Sequence, residues 1–202
     1  MMPPKPQNPI SSRKISELVN KTMEPQIIPF DESAYHITSR KNKISKQAIV
    51  KGTDNIQIEG KAIILQNAQL RGDLAPLLMG EYVIIKEDVI IRPTFGKESM
   101  AKKLKYFKLR IGSYVYIDRG TIISASKIGS NVHIGKNCII GHRCVIKDNC
   151  KILDNTILAS DTTIPPYTVY GGKPGVFLGE LPESFDKYHQ EMTISYYKNF
   201  RQ

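Results

Sequence analysis

The 202-residue chain has no tryptophan, only three cysteines and only four histidines. Each shortage excludes something. A small, odd number of cysteines argues against a disulfide-built secreted scaffold and for a reduced, cytosolic compartment. No apolar run approaches the ~18 residues of a membrane span. The opening stretch MMPPKPQNP lacks the apolar core of a secretory signal. Helix-turn-helix, zinc-finger and RNA-recognition signatures are missing. The aromatics are not interleaved with basic residues along a repeated face. The net charge of +10 therefore points to an acidic protein partner ahead of nucleic acid.

What the chain does have is a beat of six. Ile128, Ile134, Ile140, Ile146, Ile152, Leu158, Ile164 and Tyr170 follow one another without a gap. Four places after each of the first seven sits a compact residue: Val132, Cys138, Cys144, Cys150, Thr156, Thr162 and Thr168. A helix repeats its apolar stripe at steps of three and four, and a lone strand at two, so neither explains a strict six. A fixed repeat of this kind dictates the architecture. The expected fold is mainly β: a parallel β-helix, triangular in section, with one unit per side and three units per turn. Turns stack at the ~4.8 Å strand spacing. Ile111, Ile128, Ile146 and Ile164 should form one internal column, Ile134, Ile152 and Tyr170 a second, Ile140 and Leu158 a third. The compact residues should tuck inside near the bends, which accounts for the cysteines without invoking metal. The glycines after Ile128, Ile134 and Ile140 suit a tight corner or a positive φ.

Around this core the chain divides into three. Residues 1–32 form a proline-rich arm, expected to be disordered alone, with a short helix possible across Ser12 to Met23. Residues 33–178 form the coil, beginning near Ile44 and interrupted by an external loop at 92–110. Residues 179–202 hold a helix, with Phe185, Tyr188, Met192, Tyr196 and Phe200 as its apolar stripe. It should lie along the coil or across its last turn, since an open solenoid end needs cover. The loop carries Lys97, Lys102, Lys103, Lys105, Lys108 and Arg110 against one acid, Glu98, plus Phe95, Tyr106 and Phe107. Insertions in solenoids become external loops, often on the binding side. Lys102, Lys103, Lys105, Tyr106 and Phe107 are the candidate protein-contact residues. The competing reading is that Phe95 and Phe107 merely pin the loop to the coil wall.

Hexapeptide solenoids include acyltransferases and carbonic anhydrase-like zinc enzymes, so catalysis is the alternative reading. In the second class a zinc ion takes three histidines. Here Ile140-Gly141-His142 fits one position, but Arg92 and Lys147 stand at the other two. A transferase needs a histidine base on a long loop beside a coenzyme A groove. His133 and His142 are the only coil histidines, and neither lies on such a loop. The closing Lys173-Pro174-Gly175 also departs from the Pro-Ala-Lys common there. No catalytic, cofactor or metal site is expected. In Arg71-Gly72-Asp73 an ion pair to a neighbouring coil or subunit is expected, not an adhesion motif.

The stretches LRGDLAPLLMGEYVIIKEDVIIRPTF, IGSYVYID, IGSNVHIGKNCIIGHRCVIKDNCKILDNTIL, IPPYTVYGGKPGVFLGELPES and the ending SYYKNF resemble the dynactin subunit 5 family over roughly residues 33 to 202. That resemblance implies a left-handed β-helix, the exception to the usual right-handed crossover. It also implies a non-catalytic pointed-end subunit of dynactin, in the cytoplasm and on the cytoskeleton. Its implied partners are dynactin subunit 6, the pointed-end actin-related protein and dynactin subunit 4, with cargo adaptors for dynein-driven transport on microtubules.

Overall fold

The computed structural model describes residues 31–97 and 104–200. The proposed arm lies outside these residues except for Asp31 and Glu32, and so does its candidate helix Ser12–Met23. The described chain is a left-handed parallel β-helix of about six turns followed by one α-helix. Its three sheets have nine, six and six strands. The first face holds, among others, Ile63–Ile64, Ile84–Ile85, Tyr116–Ile117, His133–Ile134 and Lys151–Ile152. The second face runs from Ile49–Lys51 through Gln69–Arg71, Ile90–Ile91, Ile122–Ile123 and Ile139–Ile140 to Ile157–Leu158. The third runs from Ile56–Gly60 to Thr163–Ile164.

The beat of six fills the interior as expected. Ile111 pairs in register with Ile128, Ile128 with Ile146 and Ile146 with Ile164. Ile134, Ile152 and Tyr170 make the second column, and Ile140 and Leu158 the third. Earlier turns extend these columns through Met79, Ile85 and Ile91. All belong to one continuous buried cluster. Each such side chain contributes roughly 1.5–3 kcal/mol by burial, and none could bury itself in a single coil.

The compact residues do sit inside the bends, in a repeated hydrogen-bond pattern. The Cys138, Cys144 and Cys150 thiols donate to the carbonyls of Leu153, Ala159 and Pro165 in the next turn, each at 3.0 Å. Thr156, Thr162 and Thr168 donate to the same three carbonyls, each at 2.6 Å. Burial pushes the Cys138 and Cys150 thiols up to about 11. These sulfurs are therefore structural and poorly nucleophilic.

The glycines work differently from one of the two expectations. None of Gly129, Gly135 or Gly141 has a positive φ. Gly129 is required by close approach, since a Cβ there would lie 2.3 Å from Asp148 Oδ1 and 2.7 Å from its backbone nitrogen. The left-handed corner position falls two residues later, on Asn131, Asn137, Arg143, Asn149, Asn155, Asp161 and Tyr167. Asn and Asp tolerate that conformation best among residues with a side chain.

Both ends of the first face close with antiparallel strands. Tyr35–Ile37 covers Lys43–Ser45 at one end, and Val176–Glu180 covers Thr168–Gly171 at the other. These short strands blunt the solenoid edge. The helix, α1 (Phe185–Asn199), lies lengthwise along the first face and runs back toward the opening turns. Phe185 packs with Val169 and Leu181, while Phe200 packs with Ile63 and Leu65. Its buried stripe is Phe185, His189 and Thr193, continued by Phe200, rather than the expected one through Tyr188 and Met192. Tyr188 is 39% exposed. The substitution of His and Thr at the stripe's centre hid the true face from hydropathy alone.

Candidate functional site: a pinned hairpin beside an aliphatic face

The inserted loop leaves the second face after Ile91 and returns at Leu109 on the third. Within it Phe95–Lys97 and Leu104–Tyr106 form an antiparallel hairpin, with Phe95 opposite Tyr106 and Lys97 opposite Leu104. Lys105, Tyr106 and Phe107 are thus brought together at one corner of the prism. Lys102 and Lys103 lie outside the described residues.

The base of the hairpin is held by turns further up the coil. Arg92 Nε donates to Ser124 Oγ at 2.9 Å. The Arg143 backbone N–H donates to buried Thr94 Oγ1 at 3.0 Å, and its guanidinium reaches the Phe95 carbonyl at 3.3 Å. That guanidinium also forms a two-pronged pair with Asp161. The Phe95 ring rests 4.5 Å from the His142 ring, centroid to centroid. Phe107 lies over Gly96, where a Cβ would come within 3.1 Å of its ring. Pinning and display therefore coexist. Phe95 anchors the hairpin, yet Leu104 is 70% exposed and Tyr106 and Phe107 are 42% and 40% exposed.

His142, the lone match to a zinc-ligand pattern, is occupied structurally under Phe95. Burial lowers its pKa first, and the nearby Arg92 and Arg143 lower it further. No cluster of three His, Cys, Asp or Glu exists among the described residues. With Arg92 and Lys147 at the other two positions, the side chains present do not fit a three-histidine zinc site. His133 is buried between the first face and α1, stacked on Tyr116 at 5.0 Å. An imidazole without solvent access cannot serve an external substrate as base. Arg71 and Asp73 pair with each other at 2.8 Å, both on the exposed surface. The expected partner in another coil or subunit is replaced by this local pair, because two residues round a corner already face each other.

The three outer faces differ in kind. The first is covered by α1. The third carries Gln57, Leu78, Arg110, Lys127, Val145 and Thr163 in register, a mostly polar series. The second carries Ile49, Gln69, Ile90, Ile122, Ile139 and Ile157. Ile139 is 43% exposed and Ile49 44%. The doubled aliphatics at 90–91, 122–123, 139–140 and 157–158 were the sequence signal for this outward column, and inward periodicity alone passed over it.

A left-handed prism whose interior is filled by a six-residue repeat belongs to the hexapeptide-repeat β-helices. Residues 23–202 match the dynactin subunit 5 family, and the chain belongs to it. It is 46% identical over 171 residues to dynactin subunit 5 of Dictyostelium discoideum, covering 85% of each chain. It is 34% identical over 160 residues to a probable carbonic anhydrase of Methanocaldococcus jannaschii, covering 79% of this chain and 93% of that one. Among solved structures it resembles a mutant of AntD, an N-acyltransferase from Bacillus cereus. There the TM-score is 0.59 and the identity 15%, over 76% of this chain and 88% of that one. At that identity the likeness speaks for the fold alone.

Proposed function

We propose that the chain is a non-catalytic pointed-end subunit of dynactin, contributing to assembly and to adaptor recruitment for dynein-driven transport. The carrying observation is the 46% identity to a dynactin subunit 5 across 85% of both chains. The partners of the reading are dynactin subunit 6, the pointed-end actin-related protein, dynactin subunit 4 and cargo adaptors. The place of action is the cytoplasm and cytoskeleton. Among the described residues no helix is long and apolar enough to cross a membrane.

The hairpin is the proposed contact. Lys105, Tyr106 and Phe107, with Lys102 and Lys103, offer exposed aromatics in a basic setting, which favours an acidic protein surface. Native pull-down with identification of the co-purifying chains tests the assembly. Dynactin components are expected. Recovery as a self-contained homotrimer would overturn the reading. Reversing Lys102, Lys103 and Lys105 to Glu together with Tyr106→Ala should weaken one partner about tenfold or more. Unchanged binding removes the hairpin from the interface.

The archaeal relative favours a hydratase as the second reading. It requires near-stoichiometric zinc by metal analysis, on a site where Arg92, His142 and Lys147 stand.

A further inference from the structure

We propose that the third face binds a compact phosphate-bearing ligand through Arg110 and Lys127. The site is a trough of about 470 Å³ that crosses neighbouring turns. One flank carries the two cations, at matching positions of adjacent strands, about 4.8 Å apart along the stack. Both side chains are exposed, and among the described residues neither has an ion-pair or hydrogen-bond partner. Arg71 and Arg143, by contrast, each meet an aspartate. Like charges side by side on neighbouring strands repel one another. An oxyanion between them turns that repulsion into two charge-assisted contacts.

The floor and the other flank supply further donors. Ser113 Oγ sits over Gly80 and Ser130 Oγ over Gly112, where a Cβ would come within 2.4 and 2.5 Å of them. Ser113 Oγ accepts the Glu81 N–H at 3.1 Å, and Ser130 Oγ accepts the Ser113 N–H at 3.2 Å. Each hydroxyl keeps its own O–H to give. The backbone of the floor is already spent. Gly112 and Gly129 donate to the carbonyls of Ile128 and Ile146, and the Ser130 N–H donates to Asp148 Oδ1. Recognition here falls to side chains, and no strand can add.

Two cations and two hydroxyl donors match the oxygens of a phosphate group. The ends of the trough set its size. Glu59 stands at one end and Asp148 at the other. These carboxylates repel a long polyanion such as a nucleic acid strand, which would have to run past them. A compact phosphate fits between them.

The test titrates the full chain with inorganic pyrophosphate by calorimetry, at about 150 mM salt to screen diffuse attraction. A single saturable site is expected. Arg110→Gln with Lys127→Gln should weaken it about tenfold or more. Both side chains face solvent, so the fold is kept, as circular dichroism checks. Lys46→Gln with Lys51→Gln removes the same charge from other exposed positions and should leave binding unchanged. Flotation with phosphatidylcholine vesicles containing phosphatidylinositol 4-phosphate separates the sources. Recovery with the vesicles, reversed by pyrophosphate, makes the ligand a lipid headgroup. Pyrophosphate binding without flotation makes it a soluble phosphate. Absence of a saturable site overturns the proposal. So does equal weakening by the two double variants, which reduces binding to net charge. Tighter binding of a glutamate-rich peptide than of pyrophosphate also overturns it, and assigns the trough to an acidic protein.

Discussion

Acidification should loosen α1 from the first face, with a magnitude set by two imidazoles. His189 of α1 is fully buried, and its ring lies 5.8 Å from that of His133, which is 3% exposed. Burial, and then the Lys151 charge, hold His189 down to about 3 and His133 well below the ordinary histidine value. Tyr116 stacks on His133 from the same face, and Phe185 stacks on His189 from the helix. Unfolded, both imidazoles take a proton near pH 6.5. Folded, neither does so until far lower, so the unfolded state binds more protons between the two values. Stability is full above about pH 6.5 and falls as pH drops, by up to about 1.4 kcal/mol per unit for each ring. Between about pH 6.5 and pH 5 the His189 ring alone costs about 2 kcal/mol, and His133 adds to the loss in the same direction, against a typical total of about 5–15 kcal/mol. Lys151 acts on the opposite side. Burial brings it down to about 8, so stability should rise again as pH climbs from about 8 toward 10.5. Urea unfolding followed by circular dichroism at several pH values measures the slope. His189→Leu should remove the His189 share, about 2 kcal/mol, of the acid-side loss. A slope in that variant equal to the parent's would refute the assignment, as would a parent whose stability is flat from about pH 6.5 to 5.

Three further outcomes follow from the coil. Ile146→Ala, in the middle of a fully buried column, should cost about 2–5 kcal/mol in denaturant unfolding; a loss under about 1 kcal/mol would place that column outside the core. Asn155 is exposed with φ 58°, so Asn155→Gly should be neutral within a few tenths while Asn155→Val loses about 1–2 kcal/mol, and equal stabilities would contradict a left-handed corner. Cys138, Cys144 and Cys150 should resist alkylation near pH 8 until the protein unfolds, because burial both hides the thiols and keeps them protonated; rapid labelling of the native chain would refute their placement in the bends.

Much of this protein is written in its sequence, because a solenoid is nearly one-dimensional. Each unit meets only the turn above and the turn below, so a period read along the chain becomes a column in space without further information. That is why the isoleucine columns from Ile111 to Ile164, the bend positions of Cys138 to Thr168 and the break in the period after Ile91 were legible from spacing. The same locality explains why the candidate site was half legible. The basic, aromatic loop was visible as a break in the period. Its anchoring on Thr94, His142 and Arg143 joins residues about fifty apart, and no local pattern encodes that.

What the tertiary structure alone decided concerns contacts between non-repeating elements. Hydropathy placed Tyr188 and Met192 on the buried stripe of α1, but the first face selects Phe185, His189 and Thr193. It offers His133 and Tyr116 as ring partners, and a polar ring can be buried where another ring receives it. The corner that needs a positive φ falls on Asn131, Asn137 and their equivalents rather than on the glycines, since the glycines are consumed by the approach of the next turn. The repeat fixes what lies inside the prism by local rules. What lies on its first outer face is set by the distant segment that returns to cover it.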